Sequence, residues 1–247
     1  MPRKRSRLIA VAVAAAAVPL AFAGYQAGAA GTSDAKGDNS QHSAASTAPC
    51  LADATTLLGD LDGDGHADKI VNPGHSGTAM TVQWGSADGS FSEKHSVNEL
   101  VGAKEAEIAT AAVADFQNDG TLDLVVNLVE PSPGDDPETA RLSEYRPGPL
   151  NRADLSSDNS RHLDIGDRGE AEELRIANYG DDEYPDLAIL NAAGDGQLDR
   201  SVRLTEPGTG PGEFDREAME EYGEWGARPQ PPAMPTDGWK HFYKPCS

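Results

Sequence analysis

The sequence predicts an all-β protein made of repeated units of short antiparallel strands, and two observations support this. The chain contains 26 Gly and 17 Pro among 247 residues, which suits short strands joined by turns better than long helices. A nine-residue pattern also occurs three times, and an apolar, strand-like stretch follows each copy.

Charge and composition exclude two classes of protein. The chain has 41 Asp and Glu against 20 Lys and Arg, so its net charge is -21. A nucleic-acid binder needs a basic surface to contact phosphates, and we therefore expect no nucleic-acid partner. The hydrophobic fraction of 38% is too low for a protein that crosses a membrane several times.

The N-terminal region predicts secretion. Residues 1–30 combine a basic start, a 16-residue apolar run at Leu8–Ala23 and small residues suited to cleavage, which is typical of a signal peptide. The alternative, a retained membrane anchor, needs about 20 apolar residues. Residues 31–49 lack large apolar side chains and predict a disordered leader. We therefore expect a secreted domain at 50–247 that does not contact the membrane after signal cleavage.

The repeated pattern starts at Asp60, Asp115 and Asn178, with spacings of 55 and 63 residues. These spacings divide the domain into units of about 57–100, 111–165 and 174–205, followed by an atypical closing segment at 206–247. A period near 60 residues indicates a supersecondary unit such as a propeller blade.

The residue types within the pattern predict calcium binding. Calcium takes six to eight oxygen ligands, and a tight loop supplies them from side chains at positions one, three and five, a carbonyl at position seven and a further carboxylate. In an EF-hand the last carboxylate is a Glu at position twelve, but position twelve of the first copy is Val71 and an Asp stands at position nine. The alternative is an Asp- and Gly-rich turn that holds no ion.

The three loops, together with Val71–Gly74 and the Trp84–Phe91 segment, resemble the FG-GAP and VCBS-type repeats of integrin α-chain propellers and of many secreted bacterial proteins. The resemblance implies four-stranded blades with calcium in the turn between two strands. The implied ligands are Asp60, Asp62, Asp64, Asp68 and the carbonyl of His66; Asp115, Gln117, Asp119, Asp123 and the carbonyl of Thr121; and Asn178, Asp182, Asp186 and the carbonyl of Tyr184. Because the loops contain four, three and two of these acids, we expect the calcium affinity to fall from the first loop to the third.

Three units are fewer than the four blades that a closed ring normally needs. The ring is therefore incomplete, assembled from two chains as a homo-oligomer, or closed by the segment 206–247. In an oxidising compartment we expect Cys50 and Cys246 to form a disulfide that joins the two ends of the domain, with two free thiols as the alternative. The aromatic residues of this segment are expected to pack over an open sheet edge, with glycan stacking as the alternative; they are Tyr222, Trp225, Trp239, Phe242 and Tyr243.

No zinc-protease or hydrolase signature is present, because the six histidines form no HExxH or HxH motif and the sequence contains no G-x-S-x-G. We expect a non-catalytic extracellular binding or adhesion module whose partner is a protein or a glycan. The alternative is an extracellular hydrolase or lyase that acts on a polysaccharide or a phosphoester, since abundant carboxylates can supply an acid and a base.

Overall fold

The structure of the protein, a computed structural model, contains four antiparallel sheets among its described residues, and each of the three larger sheets includes one of the three loops. It describes residues 48–131, 138–165, 169–194, 197–212, 233–236 and 238–247, all within the unit His42–Ser247. The predicted signal peptide lies outside the described residues, as does the predicted leader apart from its last two residues. The all-β prediction is confirmed.

The first sheet has five strands in chain order, and each pairs antiparallel with the next. The strands are β1 (Cys50–Asp53), β2 (Thr56–Gly59), β3 (Asp68–Val71), β4 (Thr81–Gln83) and β5 (His95–Ser96). A short helix, α1 (Val97–Leu100), follows β5, and the Ser96 hydroxyl caps it by accepting a hydrogen bond from the Glu99 amide at 3.1 Å. The first loop, residues 60–68, connects β2 to β3.

The second and third sheets repeat this arrangement. The second contains β6 (Ile108–Ala114), β7 (Asp123–Val129), β8 (Leu142–Arg146) and β9 (Arg161–His162), and the third contains β10 (Ala171–Ala177), β11 (Asp186–Gly194) and β12 (Gln197–Arg203). A hairpin of β13 (Thr205–Glu206) and β14 (Gly210–Pro211) follows. The second loop, residues 115–123, connects β6 to β7, and the third loop, residues 178–186, connects β10 to β11. The three loops therefore occupy equivalent places in their sheets.

Strands β6 and β7 form the centre of the core. All seven residues of β7 are buried, and the small residues of β6 allow neighbouring backbone to approach closely. Ala111 donates its amide to the Gly77 carbonyl at 3.0 Å, and a Cβ on Gly77 would lie 2.2 Å from the Ala111 oxygen. The Thr110 hydroxyl donates to the Ala171 carbonyl at 3.0 Å. A backbone hydrogen bond therefore joins the second sheet to the first, and a side-chain hydrogen bond joins it to the third.

The C-terminal residues contact both the first and the second sheet. Leu51 exchanges backbone hydrogen bonds with Lys244 and Cys246 at 2.8 and 2.9 Å, and the predicted disulfide between Cys50 and Cys246 is confirmed. The indole of Trp239, in α2 (Gly238–Phe242), donates to the Val113 carbonyl at 2.8 Å. The described part of the predicted closing segment thus links β1 to the second sheet.

Trp239 and Tyr243 are buried. The Tyr243 hydroxyl accepts a hydrogen bond from the Asp115 amide at 2.7 Å, so this aromatic residue supports the start of the second loop. Both rings are buried, so neither is exposed to stack on a glycan. Tyr222 and Trp225 lie outside the described residues.

Candidate metal centre

The first loop brings three acidic side chains together. Asp60, Asp62 and Asp68 each place a carboxylate oxygen within 4.8 Å of the other two, and among the described residues this is the one cluster of three or more such groups. Asp60 and Asp68 are buried, which separates their charges from water. Several carboxylate oxygens at this spacing suit a hard cation.

Backbone amides shape the loop around its first residue. The two carboxylate oxygens of Asp60 accept hydrogen bonds from the amides of Gly63 and Gly65 at 2.7 and 2.9 Å. Gly63 and Gly65 have φ values of 77° and 83°, a region in which a side chain is strained, so glycine at these positions permits the tight turn. In the second loop, Asp115 accepts hydrogen bonds from Asp119 and Gly120 at 2.9 and 2.8 Å, so both loops wrap around their first aspartate.

The residue at position five forms the same turn in all three loops. Its carboxylate accepts a hydrogen bond from the amide of position seven, forming an Asx turn. The pairs are Asp64 with His66 at 2.8 Å, Asp119 with Thr121 at 2.9 Å, and Asp182 with Tyr184 at 2.8 Å. The predicted carbonyl ligands therefore lie at structurally equivalent positions.

The aspartates at position nine have a structural role that the sequence did not reveal. Each of these side chains is almost fully buried. One carboxylate oxygen accepts a hydrogen bond from the amide of position two, and the other accepts one from an amide just beyond the second strand after the loop. The donors are Leu61 (2.9 Å) and Gly85 (2.7 Å) for Asp68, Phe116 (2.9 Å) and Gly148 (2.8 Å) for Asp123, and Tyr179 (2.7 Å) and Thr205 (2.8 Å) for Asp186. Position nine thus ties each loop to the far end of its own sheet.

Close packing explains the residue types of the distant donors. A Cβ on Gly85 would lie 2.2 Å from the Ala67 carbonyl oxygen, and a Cβ on Gly148 would lie 2.7 Å from the Leu122 carbonyl oxygen. Both carbonyls belong to position eight of their loops. In the third sheet Thr205 stands at the same place, and its hydroxyl donates to the position-eight carbonyl of Pro185. Glycine permits the close approach to the position-eight carbonyl in two repeats, and threonine forms a hydrogen bond to that carbonyl in the third.

Burial opposes the charge on the position-nine carboxylates. It raises the pKa of Asp68 to about 6, with smaller contributions from Asp62 and Asp60. It raises the pKa of Asp123 to about 7, with Asp115 and Asp119 adding to the effect, and it raises the pKa of Asp186. A bound cation would favour the charged forms, so these residues gain most from an ion.

These shifts predict how stability depends on pH when a chelator holds calcium away. Because Asp68 and Asp123 bind protons more tightly in the folded state, the free energy of unfolding should fall as the pH rises from about 4 to about 7, and then level off. Urea unfolding between pH 4.5 and 8 measures this slope. Saturating calcium should flatten it, because the cation competes with protons for the same carboxylates. Stability that rises through this window without calcium would contradict the prediction.

The second and third loops place their predicted ligands differently. The Gln117 amide donates to the Gly208 carbonyl at 2.9 Å, so this side chain contacts the β13–β14 hairpin. In the third loop the Oδ1 atom of Asn178 is buried and accepts no hydrogen bond from the described residues, while its Nδ2 lies 2.7 Å from Nε2 of His241. A buried acceptor without a donor fits a cation ligand.

The donor set as a whole fits calcium. Every predicted ligand offers oxygen, the ligand type that calcium prefers, and a carboxylate oxygen that accepts one backbone hydrogen bond retains a second lone pair. The first loop fits best, because it combines the three clustered carboxylates with Asp64. The second loop resembles it, and the third offers two carboxylates and the buried Asn178 oxygen.

Arg152 is a further residue at the first loop that the sequence did not single out. Its Nε pairs with Asp62 and its Nη2 with Asp64, and its guanidinium carbon lies 5.6 Å from the centre of the Trp84 ring. These contacts span about 90 residues of sequence. An arginine in a polar segment has no distinctive spacing, so no sequence signal identifies this contact.

Comparison with known proteins agrees with the repeated geometry. Residues 60–126 match the family model of the FG-GAP-like repeat, which covers the first two loops and ends within β7. No curated protein and no solved structure matches the chain. The third loop lies outside the matched residues, but its position-nine hydrogen bonds repeat those of the other two. Residues 60–126 of the chain therefore form an FG-GAP-like repeat segment.

Proposed function

We propose that this protein is a secreted, non-catalytic binding module whose repeats are stabilised by calcium. One observation carries the proposal: within the matched repeat, Asp60, Asp62 and Asp68 place carboxylate oxygens within 4.8 Å of one another. The Cys50–Cys246 disulfide and the FG-GAP repeat are both typical of extracellular proteins. None of the described helices is long and apolar enough to span a membrane.

The mechanism is structural. Without a cation, the four aspartates of the first loop hold like charges close together, which opposes the fold of the loop. Calcium neutralises them and fixes the turn between β2 and β3, so the free energy of ion binding adds to the stability of the sheet. The second and third loops act in the same way with fewer carboxylates. A rigid set of loops then presents a binding surface to the partner.

The expected result is a calcium-dependent rise in the melting temperature. At a calcium concentration one hundred times the dissociation constant, the stabilisation is about 2.7 kcal/mol, which corresponds to a rise of about 5–10 °C. Calorimetric titration and thermal melts with calcium and with excess chelator measure it. The double variant Asp62→Asn with Asp64→Asn should lose the contribution of the first loop, because it removes two of the four carboxylate charges and leaves the buried Asp60 and Asp68 in place.

The matched control is Asp88→Asn. Asp88 is an acidic residue in the Trp84–Phe91 segment, where its carboxylate accepts hydrogen bonds from Ser86 and Ser90, and it belongs to none of the three loops. The control should keep the full calcium response. Identical melting curves of the unaltered protein in calcium and in chelator, with no heat of titration, would reject the proposal.

We further propose that the partner is an extracellular protein or a glycan. A panel of soluble proteins, glycans and phosphodiesters, assayed in calcium for both binding and turnover, tests this assignment. Binding without turnover supports the module, whereas turnover of a glycan or phosphodiester would favour the hydrolase or lyase alternative. Size-exclusion chromatography with light scattering determines whether two chains associate.

A further inference from the structure

Arg152 lies on the turn that follows β8 and extends to the first loop. Its Nε and Nη2 atoms pair with the Oδ2 atoms of Asp62 and Asp64, two of the predicted calcium ligands. The side chain of Asp62 is only 6% exposed, whereas that of Arg152 is 44% exposed. The guanidinium therefore covers the loop from its solvent side.

A guanidinium and a calcium ion compete for the same carboxylate oxygens. Arginine has only hydrogen-bond donors and a permanent positive charge, so it cannot act as a ligand to the ion. Two cations that share Asp62 and Asp64 repel each other at short range. Ion binding through these two side chains therefore requires the guanidinium to leave at least one of them.

Contacts other than the ion pairs also hold the backbone near Arg152 against the first loop. The Leu150 amide donates to the Leu61 carbonyl at 2.8 Å, and a Cβ on Gly63 would lie 2.7 Å from the Cβ of Pro149. The turn is thus packed against the first loop by contacts that do not involve charge. The long, flexible arginine side chain can change its position while this backbone remains in place.

We propose that Arg152 sets the calcium affinity of the first loop by competing with the ion for Asp62 and Asp64. This inference rests on the proposed function. In the absence of calcium, the guanidinium offsets part of the charge of the four aspartates and supports the folded loop. When calcium binds, it displaces the guanidinium, so the measured affinity is lower than the four carboxylates alone would provide.

The test compares the unaltered protein with Arg152→Gln, which removes the charge and keeps a polar side chain. Calorimetric titration should show calcium binding to the first loop at least about tenfold more tightly in the variant, because ligand charge is no longer neutralised. The heat that belongs to the first loop is the part lost in Asp62→Asn with Asp64→Asn. The melting temperature in chelator should fall in Arg152→Gln, so its calcium-induced rise should be larger.

A second measurement follows the guanidinium itself. The Nε–H signal of Arg152, assigned in the NMR spectrum by its loss in Arg152→Gln, should move and exchange faster with water as calcium is added. Arg141→Gln is the matched control, because Arg141 is similarly exposed at 41% and pairs with Glu107, away from the loops. It should leave the calcium affinity unchanged.

The outcomes separate this inference from the proposed function. Unchanged or weaker calcium binding in Arg152→Gln, when the unaltered protein binds the ion, would overturn the competition and leave the calcium module intact. Calcium binding by the Arg152→Gln variant but not by the unaltered protein would support the competition. It would overturn calcium occupancy of the first loop in the unaltered protein. Absence of binding by both proteins would overturn both.

Discussion

Replacing Cys50 and Cys246 by serine should lower the free energy of unfolding by about 5 kcal/mol. The disulfide joins residues separated by 196 positions, so it restricts almost the whole of the described domain in the unfolded state. In the chain-entropy model, the stabilisation by a disulfide grows with the length of the loop that it closes. Urea unfolding of the double variant and of the oxidised protein, both in calcium, measures the difference.

Reduction provides the control for this pair. A reducing agent should destabilise the unaltered protein by the same amount and leave the double serine variant unchanged. Leu51 retains its backbone hydrogen bonds to Lys244 and Cys246 in either case, so the folded state has no reason to rearrange. A loss below about 1 kcal/mol would show that this strand pairing, together with the packing of Trp239, holds the chain ends without the covalent bond.

The sequence predicts those features of the fold that depend on local patterns. The three loops are visible because their acids and glycines recur at fixed positions, and the apolar stretches after them form the strands β3, β7 and β11. The disulfide follows from the presence of two cysteines in a chain predicted to be secreted. These inferences need only residue type and short-range spacing, which a single sequence contains.

The contacts that complete the loops are not local, and the sequence does not predict them. The donors to Asp68, Asp123 and Asp186 beyond each sheet are backbone amides, which every residue except proline possesses, so residue type carries little signal. They lie 17, 25 and 19 residues further along the chain, at distances that vary with the length of each hairpin. Only the fold shows that these amides are equivalent.

The same limit applies to the residues that connect one repeat to the next. Arg152 reaches the first loop from the second sheet, and Tyr243 supports the second loop from the C-terminal segment. Both contacts depend on how sheets pack against each other. A local pattern predicts the loop, while tertiary structure determines which charges and hydroxyl groups surround it.

Replacing Asp123 by asparagine should destabilise the protein by about 2–4 kcal/mol, whether or not calcium is present. Asp123 is fully buried, and its oxygens accept hydrogen bonds from the amides of Phe116 and Gly148 and from the Tyr145 hydroxyl, at 2.9, 2.8 and 3.1 Å. Asparagine replaces one of these oxygens with an NH₂ group, which would face a buried donor. Urea unfolding in chelator measures the loss free of any contribution from the ion.

Asp119→Asn is the matched control, because it makes the same chemical change in the same loop at an exposed position. Among the described contacts, the Asp119 carboxylate accepts a hydrogen bond only from the nearby Thr121 amide. The free energy of unfolding of Asp119→Asn in chelator should therefore fall by less than about 1 kcal/mol. In calcium it should lose the ion's contribution as well. If Asp123→Asn were as stable as Asp119→Asn in chelator, position nine would serve the ion alone. If Asp123→Asn is the less stable variant, the aspartate at position nine stabilises the sheet before any ion binds. The same result is expected for Asp68→Asn, because the Asp68 carboxylate accepts a hydrogen bond from the Gly85 amide in the same way.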